Sequence, residues 1–436
     1  QMTSNQADFQ RVRDFLTAHG LHETKRAFDR EVNARETRSP DDTGLSIETR
    51  IVSYNPAKDD PHGAATMPIY QTATFAQKSA SEFGAFDYTR SGNPTRSAAE
   101  NILAELDHGV GAFCFSTGMA AIMAVTRFAQ AGDEIICSDD SYGGTYRLLS
   151  QVASRAGVKT SYVDLSGPEG PAVLSAALTP QTALVMLESP TNPMMRICDV
   201  RAIARIVKSH PRALLSVDNT LLSPLLMQPL DLGADFVVTS CTKFACGHSD
   251  TMAGVVSVKD PELAKQVYFY QNAEGTGLAP FDCWLLLRGL KTMPLRLERG
   301  QSNAMQVAAF LQSHPRVTSV LYAGLPDHPD KALHDSQTSG SGVVVCFRTG
   351  SYANSLHVVD QASGSGLFKI TVSFGSVNSL ISLPGDMSHA SIPADVKSAR
   401  EFPTDLIRLS IGIEDAGDLI KVLGSALDSY TPGSKL

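Results

Sequence analysis

Phe236-Val237-Val238-Thr239-Ser240-Cys241-Thr242-Lys243-Phe244 is the stretch that decides how the chain is read. Its first four residues are apolar or β-branched, as in a short strand buried on both faces of a parallel sheet. Hydroxyl residues and a lysine follow at once. A lysine just past a buried strand is poorly placed for hydration. Desolvation lowers its pKa and makes the amine usable as a nucleophile. Most lone lysines are merely solvated, so the reading depends on what surrounds this one.

Other apolar runs end in a similar way. Leu214-Leu215-Ser216-Val217 is followed by Asp218-Asn219. An acid at the end of a buried strand needs a partner, because an unpaired buried carboxylate is costly. That partner is a cation from a ligand, or else a structural salt bridge or turn. Phe113-Cys114-Phe115 is followed by Ser116-Thr117-Gly118-Met119-Ala120-Ala121, which opens a helix. Small residues at a helix N-terminus expose main-chain N–H groups to an anion, unless Ser116 or Thr117 is an ordinary cap. Residues 183–187 form a third short apolar run ending in a polar residue. In open α/β sheets, ligands bind beyond the carboxyl ends of the strands.

Helical patterns lie between these runs, at 101–106, 119–130 and 146–153, with a further strand at 134–137. The alternation predicts an α/β sandwich with a mostly parallel sheet. After Arg288-Gly289-Leu290 comes a long helical stretch around 297–311, then strands at 343–347 and 406–409. These predict a smaller C-terminal α+β domain. The expected division is an N-terminal extension and arm over 1–92, a large cofactor-binding α/β domain over 93–290, and the C-terminal domain over 291–436. Within the extension, Phe9, Val12, Phe15, Leu16, Leu21, Ala27, Phe28 and Val32 recur at helical spacing, broken at Gly20. This predicts two short amphipathic helices, and residues 9–32 loosely resemble a LisH dimerisation motif. The plainer reading is an arm that packs on a neighbour. Residues 35–45 read as a linker.

Composition narrows the function. Of 436 residues, 43% are hydrophobic and 19% charged, which are globular proportions. Lys and Arg number 37 against 45 Asp and Glu, for a net charge of −8, and no basic block marks a nucleic-acid partner. No apolar run reaches the roughly 18 residues of a membrane span. Seven cysteines without a C-x-x-C pair fit a reducing compartment. The first 50 residues lack the apolar core of a signal peptide. They carry acids such as Asp8, Asp14 and Glu23 that a transit peptide would avoid. There is no completed G-x-G-x-x-G, no P-loop and no H-E-x-x-H, so those readings have no support.

Taken together, an anion cradle, a strand-end Asp and a strand-end Lys, in that order, suit pyridoxal phosphate (PLP). Lys243 is then the Schiff-base lysine, Asp218 the partner of the pyridine nitrogen, and the helix N-terminus with the nearby hydroxyls the phosphate site. A metal held by Cys241, Cys246 and His248 is a rival with loose spacing that leaves the lysine unexplained. No metal is expected.

Longer motifs carry a resemblance. Tyr88-Thr89-Arg90-Ser91-Gly92-Asn93-Pro94-Thr95-Arg96, the run 116–121, Ser189-Pro190-Thr191-Asn192-Pro193 and the run 240–250 (SCTKFACGHSD) are similar to those of the Cys/Met-metabolism family of PLP enzymes. The likeness covers about residues 65–425. Within the family, YFYQNAEGTGLAPFDCWLLLRGLKTM (268–293), VLYAGLPDHP (320–329), VSFGSVNSLIS (372–382) and MSHASIPADV (387–396) look most like the plant-type cystathionine β-lyases. Two positions depart from the pattern. Cys241 stands where the family usually has Ala. Asn378 stands where plant-type enzymes carry Lys and much of the wider family carries Glu.

The resemblance implies an aspartate-aminotransferase-like fold (fold type I) and α,β-elimination of L-cystathionine, a small-molecule amino acid. It implies catalytic roles for Lys243, Tyr142 and Tyr88. Lys243 would remove the Cα proton and Lys243 or Tyr142 would protonate the leaving thiol. Cofactor contacts would come from Lys243, Asp218, Gly118, Met119, Ser240, Thr242, Tyr142 and Asn192, and from Tyr88 and Arg90 of a neighbouring subunit. Arg408, Ser373 and Asn192 would bind substrate. It further implies a homotetramer built from dimers with shared sites, and a plastid stroma location, with the cytoplasm as the alternative. The same catalytic groups serve γ-elimination, so a γ-lyase, and less readily a γ-synthase, stay open. A non-catalytic scaffold built on the LisH-like segment is the rival from another class.

Overall fold

The computed structural model describes residues 45–57, 60–390 and 392–431. The readings made for 9–32, and for all but the last residue of the linker, lie outside the described residues.

The first sheet has seven strands: β1 (Gly111–Phe115), β2 (Glu134–Ser138), β3 (Lys159–Val163), β4 (Thr182–Glu188), β5 (Leu214–Asp218), β6 (Phe236–Thr239) and β7 (Gly254–Val258). Their order across the sheet is β1-β7-β6-β5-β4-β2-β3. All pairs from β6 to β3 are parallel, whereas β7 runs antiparallel to both β6 and β1. The expectation of a mostly parallel α/β sheet therefore holds. The antiparallel entry of β7 was not visible in the sequence, because a buried GVVSV reads the same in either direction.

Every residue of β4 is buried, and the two faces meet different neighbours. Leu184 and Met186 join a cluster with Phe236, Val238 and Val256, while Val185 and Leu187 join one with Leu215, Val217 and Ile203. Alternate side chains leave a strand on opposite faces, so a strand covered on both sides must be apolar throughout. Helix Val200–Ser209 covers one face through Val200, Ile203, Ala204 and Val207, at the three-and-four spacing of a single helical stripe.

Helix boundaries moved where capping came from elsewhere. The helix read at 101–106 begins at Pro94, because the Asn93 side chain accepts from the N–H groups of Thr95 and Arg96 and Pro94 needs no acceptor. The helix read at 119–130 spans Gly118–Thr126. Beyond it Arg127, Phe128 and Ala129 bond to carbonyls three residues back, which tightens and ends it. The helix read at 146–153 runs from Gly143 to Leu148 and then widens into a π turn, Leu149–Ala153.

The second sheet has five strands in the order β10-β11-β12-β9-β8: β8 (Ser319–Leu321), β9 (Val344–Arg348), β10 (Lys369–Ile370), β11 (Leu380–Ser382) and β12 (Leu406–Ser410). Helix Met293–Ser313 leads into it. Leu297, Ala304, Val307 and Leu311 of that helix share one buried cluster with Val345, Phe347, Ile407 and Leu409 of the second sheet and with Val185 and Val217 of the first. Apolar packing is therefore continuous between the sheets. Among the described residues no helix is long and apolar enough to cross a membrane.

Candidate active site

The carboxyl ends of β4, β5 and β6 lie side by side. Register pairs Glu188 with Asp218 and Asp218 with Val238, so the chain leaves β6 toward Ser240 and Lys243 beside the acid at the end of β5. The Ser240 N–H donates to Thr220 Oγ1 at 2.9 Å, and the Lys243 N–H donates to the Ser240 carbonyl at 3.1 Å. These bonds turn the chain so that the lysine points back over the sheet edge.

Lys243 Nζ donates to Ser373 Oγ and lies 5.0 Å from the centroid of the Phe374 ring. Burial, reinforced by the Arg408 guanidinium, brings its pKa from 10.5 down to about 8, and Asp218 opposes part of that shift. The amine is therefore far easier to deprotonate than a solvated lysine. Asp218 is pushed up by burial, against hydrogen bonds from the Thr220 N–H and hydroxyl and the charge of Lys243. Such a carboxylate is held in its charged form by any cation placed against it.

Helix Gly118–Thr126 points its N-terminus at the same place. Thr117 is the N-cap, accepting from the Ala120 N–H at 3.0 Å, so the ordinary-cap reading of Thr117 is correct. The N–H groups of Gly118 and Met119 still have no acceptor among the described residues. Gly118 packs so tightly that a Cβ there would lie 2.9 Å from Ser240 Cβ and Oγ. The helix start and the hydroxyl after β6 thus form one cradle. Thr242 behaves differently from expectation: its hydroxyl donates to the Ala253 carbonyl at 3.2 Å and accepts from the Ala253 N–H at 3.0 Å.

The C-terminal sheet closes the opposite wall. Arg408 lies in mid-β12, paired with Ser382 and Cys346, and is 2% exposed. Its guanidinium donates to Asn192 Oδ1 at 2.9 Å and to the Ser373 carbonyl at 3.1 Å. It has no ion-pair partner among the described residues, which rules out a surface ion pair and leaves a buried cation suited to a carboxylate. Ser373 sits at φ +97°, a strained conformation for a residue with a Cβ, which places its hydroxyl toward Lys243 and its carbonyl toward Arg408. Gly375 follows at φ +81°, and a Cβ there would come within 3.0 Å of Lys243 Cβ.

Tyr142 immediately precedes helix Gly143–Leu148 and is 37% exposed, with its N–H donating to Glu188 Oε1 at 2.6 Å. Tyr88 and Arg90 do not join the pocket of their own chain. Arg90 donates to the carbonyl and Oδ1 of Asn272, at 3.1 and 2.8 Å, and lies over the 44%-exposed Tyr88 ring. Asn378 is exposed, its Oδ1 3.5 Å from Lys369 Nζ. Cys241 and Cys246 are buried thiols, and His248 Nδ1 bonds to the Cys246 carbonyl. Among the described residues no group of three or more His, Cys, Asp or Glu is arranged to hold a metal.

Glu188, Thr220 and Phe374 belong to the site and were not picked out from the sequence. Glu188 carried the same signal as Asp218, an acid directly after an apolar run. Thr220 and Phe374 carried none.

The residues fit PLP: a buried amine of lowered pKa, a buried acid beside it, two open helix N–H groups next to Ser240, and a buried guanidinium facing the amine. Comparison with known proteins agrees. Residues 48–428 match the model of the Cys/Met metabolism PLP-dependent enzyme family. The chain is 55% identical to the chloroplastic cystathionine β-lyase of Arabidopsis thaliana over 88% of its length and 81% of that protein. It is 56% identical to the chloroplastic cystathionine β-lyase of Mimosa pudica over 85% and 79%. Its fold is similar to the crystal structure of cystathionine γ-lyase from Lactobacillus plantarum complexed with L-serine, with a TM-score of 0.84 and 38% identity over 88% of this chain and 99% of that one.

Proposed function

Because the chain belongs to the Cys/Met metabolism PLP-dependent enzyme family, we propose that it is a carbon–sulfur lyase that cleaves L-cystathionine by α,β-elimination. The products are homocysteine and, once water hydrolyses the released enamine, pyruvate and ammonia. The observation that carries this reading is the pairing of Lys243 with Arg408: a readily deprotonated amine and an unpaired buried guanidinium joined through Ser373. An α-amino acid needs both, a base for its Cα proton and a fork for its carboxylate.

When bound, PLP supplies an electron sink for negative charge developing at the substrate Cα. Asp218 offers the carboxylate that favours a protonated ring nitrogen, and the Gly118 and Met119 N–H groups with Ser240 offer donors for the phosphate. Thr242 serves there only if its hydroxyl leaves Ala253. Arg408, steadied by Asn192, takes the substrate carboxylate in two parallel hydrogen bonds and so fixes which Cα bond faces Lys243. Lys243 removes the Cα proton at Nζ as general base. The Cβ–S bond breaks, and Lys243 or the Tyr142 hydroxyl returns a proton to the thiolate. The exposed ring of Tyr142 is free to lie against a planar cofactor.

Tyr88 and Arg90, directed away from their own Lys243, serve a neighbouring subunit's phosphate in a tetramer built from dimers. The chloroplastic names of the two plant relatives support a plastid stroma location. Incubation with L-cystathionine followed by mass spectrometry of the keto acid tests the reaction. Pyruvate with homocysteine is the expected result. 2-Oxobutyrate with cysteine assigns γ-elimination instead.

A further inference from the structure

We propose that Glu188 is the positioning residue of the ring site, its buried carboxyl holding the main chain of Tyr142 against the end of β4 beside Asp218. The Tyr142 N–H donates to Glu188 Oε1 at 2.6 Å, and the main chain of Asn192 lies near enough to the same carboxyl to favour its charged form. Glu188 is 7% exposed and lies on β4, the strand next to that of Asp218, in register with it. One side chain thus lies between two loops that approach the ring site from different directions. One loop, from β2, carries Tyr142. The other, from β4 itself, carries Asn192, which in turn accepts from Arg408 and whose carbonyl bonds His389 Nε2 at 3.0 Å.

Other contacts also span these loops, since Asp140 accepts from the Met194 N–H at 3.2 Å and His389 bonds the Asn192 carbonyl, but the bond that holds the Tyr142 N–H is that of Glu188. Glu188 and Ser141 line a small cavity with Cys137, Thr145, Met186 and Asp218, so the residue before Tyr142 borders open space. The carboxyls facing Glu188 are those of Asp218 and Asp140, and no cation contacts it among the described residues. Burial, Asp218 and Asp140 all favour its protonated form, in which it has one O–H to donate while a carbonyl oxygen accepts. A neutral acceptor is therefore sufficient to hold the Tyr142 N–H.

The inference rests on the reading of the Lys243–Asp218 pocket as the PLP site, and wild-type protein with Lys243→Ala is the control for that reading. If wild type titrated with PLP gains a visible absorbance band that Lys243→Ala lacks, the pocket reading stands and the Glu188 variants become informative. If Lys243→Ala keeps the band, the pocket reading fails, and the Glu188 proposal is overturned with it. The full chain is then compared as wild type, Glu188→Gln, Glu188→Asp and Glu188→Ala. The measurements are the PLP dissociation constant of the apoenzyme, the visible circular dichroism of the bound cofactor, and the Tm of the apoenzyme.

Glu188→Gln keeps a neutral acceptor at the same reach, and is expected to stay within about threefold of wild type for PLP with its dichroic band intact. Glu188→Asp withdraws the acceptor by one methylene, and Glu188→Ala removes it. Both are expected to weaken PLP binding by about tenfold or more, the factor that goes with one hydrogen bond, and to diminish the dichroic band. If Glu188→Ala does not fold, Glu188→Asp decides. Wild-type affinity and dichroism in the variants that lack the acceptor overturn the proposal. So does a lowered apoenzyme Tm with both cofactor signatures unchanged, because that is a purely structural role. Glu188→Gln matching Glu188→Ala also overturns it.

Discussion

Lys243 and Arg408 show how single residues acquire chemistry from burial. Two cations share Ser373 and the face of Phe374, the guanidinium 5.7 Å and the ammonium 5.0 Å from the ring centroid. The amine yields, because its pKa has the shorter distance to fall. Lys243→Ala is expected to abolish the visible cofactor band and to lower kcat by at least ~10²-fold, the usual share of a positioned base, while circular dichroism in the far ultraviolet stays unchanged. Arg408→Lys keeps the charge and loses the fork. Its KM for L-cystathionine is expected to rise about 10- to 100-fold, measured by steady-state kinetics, since hydrogen bonds to a charged group contribute about 1.5–3 kcal/mol.

The lowered pKa of Lys243 also has a signed effect on apoenzyme stability. The folded form loses its proton near pH 8 and the unfolded form near 10.5, so between these values the unfolded state binds more protons. Stability from this group therefore rises with pH across that window, and the burial cost is fully present below it. The apoenzyme of Lys243→Met is expected to exceed wild type in Tm at pH 7, with the gap closing by pH 10.5. A gap independent of pH would show that Lys243 is not desolvated in solution.

At the scale of elements, the site is made by ends: three strand termini, one helix start and one mid-strand arginine from the second sheet. Helix Gly118–Thr126 must approach β6 closely enough for its first N–H groups to share a ligand with Ser240. That approach is possible only because residue 118 has no side chain. Gly118→Val is expected to force the helix start away from Ser240 and raise the PLP dissociation constant by about tenfold or more, measured by titrating apoenzyme. The same change is expected to leave helix content intact, because Thr117 still caps the helix. An unchanged dissociation constant would place the phosphate elsewhere.

The legibility of elements followed their chemistry. β4, β5 and β6 were readable because strands buried on both faces are apolar at every position. Helix Gly143–Leu148 was misplaced because its cap is not in its own sequence: the Tyr142 N–H is held by Glu188, 46 residues further along. Edge strand β3 was missed because half-exposed KTSYV carries no continuous apolar run.

For the whole molecule, the unanswered demand is at Tyr88 and Arg90. One is exposed and the other is engaged by Asn272, and neither bonds to the pocket of its own chain. The proposed sharing of sites between subunits makes a specific prediction. Lys243→Ala and Tyr88→Phe protomers, each inactive or weak alone, are expected to recover up to about a quarter of wild-type activity when dissociated and reassembled together. Half of randomly formed dimers are mixed, and each mixed dimer holds one intact site of two. No recovery beyond the sum of the separate proteins would make each site self-contained.

The sequence by itself determined the class of fold and the cofactor, and it set Lys243 and Asp218 at the ends of neighbouring strands. Each of these depends on local rules: a run of apolar residues must be buried, and whatever follows it lies at the edge of the sheet. Tertiary structure alone decided that Arg408 faces Lys243 across Ser373, that Thr242 is tied to Ala253, and that Glu188 holds the Tyr142 N–H. Those relations link residues far apart in the chain, between 11 and 165 positions. They arise where separately folded elements are pressed together by a common apolar core, and no local pattern in the chain records which polar groups will then meet.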